Sequence, residues 1–320
     1  FIFFKLLTIY TMVELKKFTN LIELISYFKN EQICRNYLEK IRWGGNITCP
    51  YDDCGHDKVF KYSDGKTYKC AKCGKHFSVR VGTIFEDSKV PLQKWFAAIY
   101  LVTSHKKGIS SLQLHRDIGV TQKTAWFMLH RIRVMFGLHQ TDDKLVGICE
   151  ADETYIGGQE KNKHADKRTK GTQGRSTKTK IVVAGIVQRG GELRAKMLES
   201  TSGKILGQYV IDNIKEGCRV NTDEWLGYKK LYKLFDHRIV NHKSHEYVND
   251  DVYTNTMESF WALLKRGIRG IYHVLSGKHI QKYVDEFVFR YNTRFVSEQY
   301  RFNMVLNKTN VRLKYCDLVK

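Results

Sequence analysis

Leu145-Val146-Gly147-Ile148-Cys149-Glu150-Ala151-Asp152-Glu153 is the stretch on which the fold turns. Leu145–Ala151 reads as a strand, and it delivers Asp152 and Glu153 at its end. Period-two alternation puts Glu150 on the face of Asp152 and sends Glu153 to the other face. After it comes a polar, Lys/Gly/Thr-rich loop over residues 159–180, with eight Lys/Arg against Glu160 and Asp166. Ile181-Val182-Val183-Ala184-Gly185-Ile186-Val187 is a second, buried strand. Gly190-Gly191 predicts a hairpin turn into a third strand, Leu193–Leu198. Residues 203–215 read as a helix, and Arg219–Thr222 as a strand ending at Asp223. A helix over 226–235, a short strand Arg238–Val240 and a helix starting near Asn255 follow.

The order is three strands, helix, strand, helix, strand, helix. It predicts an α/β fold, a ribonuclease H-like mixed sheet flanked by helices, over residues 145–295. In that arrangement Asp152 and Asp223 lie on neighbouring strands and Glu258 on a flanking helix. Three carboxylates so placed suit phosphodiester chemistry. Two Mg2+ (or Mn2+) ions roughly 4 Å apart activate the nucleophile, relieve charge at phosphorus and stabilise the leaving oxygen. Hard cations take oxygen ligands. Asp152 would bridge both ions, Asp223 bind one and Glu258 the other, with Glu150 a spare ligand candidate. Each acid also has a plain structural reading. Asp152-Glu153 can be strand-end acids, Asp223-Glu224 can cap the next helix, and Asn255-Thr256-Met257-Glu258 matches a capping box.

Around these acids the chain is strongly basic. Lys and Arg number 54 against 33 Asp and Glu, a formal net charge of +21, which points to a polyanionic partner such as nucleic acid. With 320 residues, 42% of them hydrophobic, there is room for more than one folded core. Residues 1–11 are apolar but shorter than the about 20 residues a membrane span needs, and they lack a signal-peptide cleavage site. We read them as translated upstream sequence or a truncated start, since the first Met is Met12. A membrane is not expected as a partner, and the expected location is the cytoplasm, at the nucleoid.

Upstream of the acids, residues 1–45 contain amphipathic helices, with Leu21, Ile22, Leu24, Ile25, Tyr27 and Phe28 in one stripe and Cys34, Tyr37, Leu38 and Ile41 in another. Eight cysteines are too few for a disulfide scaffold, yet four cluster as Cys49/Cys54 and Cys70/Cys73. Two short thiol pairs joined by strand-like segments predict a structural Zn2+ in a zinc ribbon over 46–80. His56 and His76 are weaker alternatives to a thiol ligand. Residues 88–137 read as three helices with a tight turn at Gly119-Val120, a helix-turn-helix-like spacing. Gln122, Lys123, Thr124, His130, Arg131 and Arg133 are the residues expected to face a DNA groove, the alternative being an ordinary helical packing unit. Residues 296–320 read as a C-terminal tail.

Taken together, Cys49–Cys73, Glu150-Ala151-Asp152-Glu153-Thr154-Tyr155-Ile156-Gly157-Gly158, Thr222-Asp223-Glu224-Trp225-Leu226-Gly227-Tyr228, the run Thr254–Gly267 and the run Tyr283–Arg294 resemble a bacterial insertion-sequence transposase. The branch resembled is the zinc-ribbon-bearing DDE type, related to the Merlin elements, over roughly residues 20–295. The resemblance implies a catalytic triad of Asp152, Asp223 and Glu258. It also implies a basic residue seven positions after the third acid, here Lys265, facing DNA phosphate beside Arg266. It further implies cleavage at transposon ends and strand transfer into target DNA. The partners implied are double-stranded DNA, as terminal inverted repeats and target, and further copies of the chain in a homo-oligomer. His242 and His245 read as polar loop residues, and Trp225, Trp261 and Tyr228 as core. Two rival functions remain at this level: a zinc-ribbon DNA-binding regulator with an inactive ribonuclease H-like domain, and a nuclease without strand transfer.

Overall fold

Asn20 and Asn30 open the first two helices among the described residues, each side chain accepting a hydrogen bond from the backbone N–H three residues on. They head α1 (Leu21–Tyr27) and α2 (Glu31–Trp43), and α2 stops where Gly44 takes a left-handed conformation. The computed structural model describes residues 18–158, 162–170, 178–240 and 251–319. The chain divides into two units, residues 1–139 with 295–320, and residues 140–294.

In the first unit, α2 leads to a three-stranded antiparallel sheet, β1 (Val59–Lys61), β2 (Tyr68–Cys70) and β3 (His76–Phe77). Three helices follow: α3 (Leu92–Ser104), α4 (Ser111–Ile118) and α5 (Gln122–Gly137). Gly119 ends α4 at φ 60°, a conformation that costs a side-chain-bearing residue, and the Thr121 hydroxyl caps α5. The expected helix-turn-helix spacing is therefore present as geometry. The helical core is aromatic, with edge-on contacts of Phe28 to Phe96 (4.8 Å) and Phe18 to Phe302 (5.3 Å).

The second unit begins with Leu145 bridged to Ile214, and then β4 (Ile148–Ile156), β5 (Ile181–Gln188) and β6 (Leu193–Leu198). The first strand runs later than the sequence predicts, because β5 pairs with it as far as Tyr155 and Ile156. Next come α6 (Gly203–Asn213), β7 (Arg219–Asp223), a 3-10 helix Leu226–Lys233 in place of the expected α-helix, and β8 (Asp236–Val240). α7 (Asn255–Gly267) and α8 (Ile280–Asn292) complete the unit. The sheet order is β6-β5-β4-β7-β8, with β5 antiparallel to β4 and β6, and β7 parallel to β4 and β8. This is the ribonuclease H-like mixed sheet. Cys149, Ala151, Ala184 and Ile186 turn to the face covered by α6 and the 3-10 helix. Val183, Val187 and Ile156 turn to the face covered by α7 and α8, through Met257, Phe260, Trp261, Val284 and Phe287.

The presumed tail does not trail. α9 (Glu298–Leu306) and α10 (Tyr315–Val319) belong to the first unit, where buried Phe302 joins the aromatic core and Asn303 Oδ1 accepts from the Tyr37 hydroxyl at 2.6 Å.

Candidate active site and zinc centre

Parallel pairing of β4 with β7 matches Ile148 to Arg219, Cys149 to Val220 and Glu150 to Asn221. Two residues further along each strand, on the same face, stand Asp152 and Asp223. Asp223 is buried, and its Oδ1 accepts from the backbone N–H of Trp225 at 3.0 Å. Asp152 is recessed, and its Oδ2 accepts from the Trp261 indole N–H at 3.0 Å. Trp261 is thus core, as its sequence suggests, and also holds an acid.

Gly185 makes that contact possible. It pairs with Asp152 across β4 and β5. A Cβ there would lie 2.4 Å from Met257 Cε and 2.7 Å from Trp261 Cζ2, so only glycine lets α7 settle onto the sheet at the acid. α7 carries Glu258, an exposed residue whose Oε1 takes a long 3.4 Å bond from the Thr254 hydroxyl. The capping box, the alternative reading of Asn255 and Glu258, is not made: Thr254 is the N-cap and no side chain of the helix caps it. The N–H groups of Thr256 and Met257 donate instead to Glu150, at 2.9 and 3.2 Å.

Glu150 accordingly is not a spare ligand. It is completely buried. Glu153 points to the opposite face, as expected, and its Oε2 accepts from the buried Tyr228 hydroxyl at 2.9 Å.

The acids feel one another's charge. Burial first, then the charges of Glu153 and Asp223 and more weakly Glu258, push Asp152 up to about 8, against a partial offset from the Glu153 backbone N–H. Crowded carboxylates in a poorly solvated recess fit a divalent cation, whose charge removes the repulsion. Among the described residues, these three acids do not bring one oxygen each within 4.8 Å of one another. Lys265, two turns along α7 from Glu258, is half-buried, and burial lowers its pKa while the charge of Asp152 raises it. It therefore stands within electrostatic reach of the first acid, while Arg266 is exposed.

The zinc centre is sharper. The sulfurs of Cys49, Cys54, Cys70 and Cys73 all lie within 4.8 Å of one another, with Cys49–Cys73 at 3.7 Å and Cys54–Cys70 at 3.6 Å. Four thiolates at about 2.3 Å around a tetrahedral zinc place their sulfurs about 3.8 Å apart. The match fits a structural zinc, and four sulfurs leave no open position for chemistry. The backbone N–H of Cys73 and then that of Lys72 favour the thiolate of Cys70, against a smaller opposing effect of burial, and lower it to about 6. His76 instead meets the Tyr62 hydroxyl at 3.1 Å.

The residues expected at a DNA groove divide. Gln122 and Lys123 are exposed at the start of α5, Gln122 donating to Ser111 Oγ and Lys123 lying 5.0 Å over the Tyr315 ring. Thr124 is half-buried beside them. His130, Arg131 and Arg133 are buried. The Arg131 guanidinium is committed to the carbonyls of Ile84, Glu86 and Leu313, so it ties the unit together and cannot reach a groove. His242 and His245 lie outside the described residues, as do parts of the basic loop.

Comparison with known proteins agrees with both halves of this picture. Residues 144–292 match the ISXO2-like transposase domain, and residues 29–76 the transposase zinc-ribbon domain. A protein of Halobacterium salinarum, described as an uncharacterized protein in transposable element ISH50, is 32% identical over 254 residues, 76% of this chain and 84% of that protein. The chain belongs to the ISXO2-like transposase family. Two solved structures are more distant: the Mos1 strand transfer complex, at 11% identity, TM-score 0.28 and coverage of 67% of this chain and 75% of that one, and a pre-cleavage Mos1 transpososome, at 11% identity, TM-score 0.25 and coverage of 68% and 80%. Similarity at that level carries no structural argument, and the fold rests on the strand order. Among the described residues no helix is long and apolar enough to cross a membrane.

Proposed function

We propose that this transposase cleaves DNA at the ends of its element and joins the resulting 3′-OH to target DNA, using Asp152, Asp223 and Glu258 as the ligands of two Mg2+ or Mn2+ ions. The observation that supports the reading is that Asp152 and Asp223 lie on parallel neighbours β4 and β7 close enough for their charges to interact, with the Glu258 helix seated against the sheet over Gly185. The ions would supply an activated water and charge relief at phosphorus. The chain's own groups do the rest. The Trp261 N–H and the Trp225 backbone N–H each orient one carboxylate. Lys265 sits where it can meet a phosphate drawn to the acids.

The zinc ribbon and the exposed start of α5 are assigned to the terminal inverted repeats. Two ends must be held at once, which calls for more than one copy of the chain. The test is Mg2+-dependent nicking of a duplex carrying an element end, followed by joining of a pre-cut end to a target plasmid. Nicking abolished by Asp152→Ala supports the reading. Binding of the repeats with no cleavage under any metal favours a regulator, and cleavage with no joined product favours a nuclease.

A further inference from the structure

Glu150 is a carboxylate sealed from solvent in the face that holds the acids. Its oxygens are fully used. Oε1 accepts from Arg189 Nε and from the Thr256 hydroxyl, at 2.8 and 2.9 Å. Oε2 accepts from the backbone N–H groups of Thr256 and Met257, at 2.9 and 3.2 Å. An ionised carboxylate has about four acceptor positions, and all are taken, so no lone pair remains for a cation. The two backbone donors are orphan groups of the first turn of α7, so a strand residue 106 positions away supplies the cap that the helix lacks.

The lead-in to that helix is stitched to the same strands. Arg189, just past β5, donates to the carbonyls of Asp251 and Tyr253 at 2.6 and 3.0 Å and lies 3.5 Å over the Tyr253 ring. Arg219 of β7 pairs with the Asp251 carboxylate. Asn221, beside Glu150 in the sheet, reaches the Tyr253 carbonyl at 3.4 Å. Strands β4, β5 and β7 therefore all grip the first turn of α7 or the residues just before it. Glu258 follows one residue after Met257.

We infer that Glu150, with Arg189, is a positioning residue that fixes Glu258 relative to Asp152 and Asp223, and so sets how tightly the third acid serves the metal pair. This rests on the three-acid reading above. Glu150 acts only through α7 and touches no reacting atom.

The test uses the full chain with its zinc retained, Mn2+ as the probe, and a temperature at which each variant is folded. Loss of a helix cap allows a change of about tenfold. Glu150→Ala should therefore speed amide exchange at Thr256 and Met257 by about that factor and raise the Mn2+ concentration for half-maximal end cleavage by a similar one, with KM for DNA unchanged. Glu150→Gln should fall between wild type and Glu150→Ala, because its amide oxygen still accepts from the two N–H groups. Faster exchange with an unmoved Mn2+ midpoint would overturn the positioning role and leave a plain structural cap. Unmoved exchange with Gln as damaging as Ala would overturn it in favour of a ligand. Should Glu150→Ala not fold, Glu150→Gln decides alone, by the same pairing of exchange and midpoint. If Asp152→Asn cleaves like wild type, the three-acid reading itself fails, visibly and before any Glu150 variant is made, and the positioning role falls with it.

Discussion

Metal binding at the acids should release protons, and the structure says how many. Asp152 is held up to about 8 by burial and by the neighbouring charges of Glu153, Asp223 and Glu258, against a usual 3.8. At pH 7 such a group is about nine-tenths protonated, so a cation that takes its carboxylate must expel about 0.9 proton. At pH 9 the figure falls to about 0.1. Below pH 8, affinity should weaken about tenfold for each unit of acidification, and above it the dependence should flatten. Folding shows the opposite sign. The folded, metal-free chain holds this proton more tightly than the unfolded chain, so its contribution to stability is complete below 3.8 and is lost as pH rises through about 8. Bound metal should therefore stabilise most at neutral to alkaline pH. Calorimetric titration with Mn2+ in buffers of differing ionisation heat counts the protons directly, and Asp152→Asn should abolish the release. A proton count near zero from pH 6 to 9 in the wild type would refute the assignment of the cation to Asp152.

Other perturbations separate structural from functional roles. Trp261→Phe removes the indole donor to Asp152, a hydrogen bond to an ionised group worth roughly 1.5–3 kcal/mol, and should move the acid limb of the cleavage profile to higher pH while the fold persists by circular dichroism. Gly185→Ala forces a methyl into Met257 and Trp261, so the second unit should lose about 1–3 kcal/mol in denaturant titration and cleavage should fall with it. Wild-type protein should carry one zinc per chain by elemental analysis, and Cys70→Ala none; retained zinc in that variant would sink the four-sulfur site. Arg131→Met should cost roughly 3 kcal/mol of stability through its abandoned carbonyls yet leave the salt dependence of DNA binding alone, whereas Lys123→Ala should lower that salt slope by about one.

Those contrasts follow the line between what residue order encodes and what distant partners decide. Strand order and the acids at strand ends were legible because alternation, turn glycines and strand-end carboxylates are local signals. The four cysteines were legible because a zinc site constrains spacing. Arg131 was misplaced because the helix pattern of α5 marks no charge as inward; its partners, Ile84, Glu86 and Leu313, come from segments 45 or more residues away. The C-terminal residues looked like a tail because 298–306 carry little to show that Phe302 completes a core begun at Phe18.

At the acids the same limit has a chemical consequence. Asn255-Thr256-Met257-Glu258 has the spacing of a capping box, and in an isolated helix Glu258 would be drawn back to its own first turn. In the folded unit Glu150 takes the N–H groups of Thr256 and Met257, and Gly185 admits Trp261, which takes one oxygen of Asp152. The first turn of the helix is therefore capped by an acid of the sheet. A strand residue two positions before Asp152 thus supplies a cap that the helix sequence alone does not announce. The third acid is carried on a helix whose first turn the sheet beneath it holds.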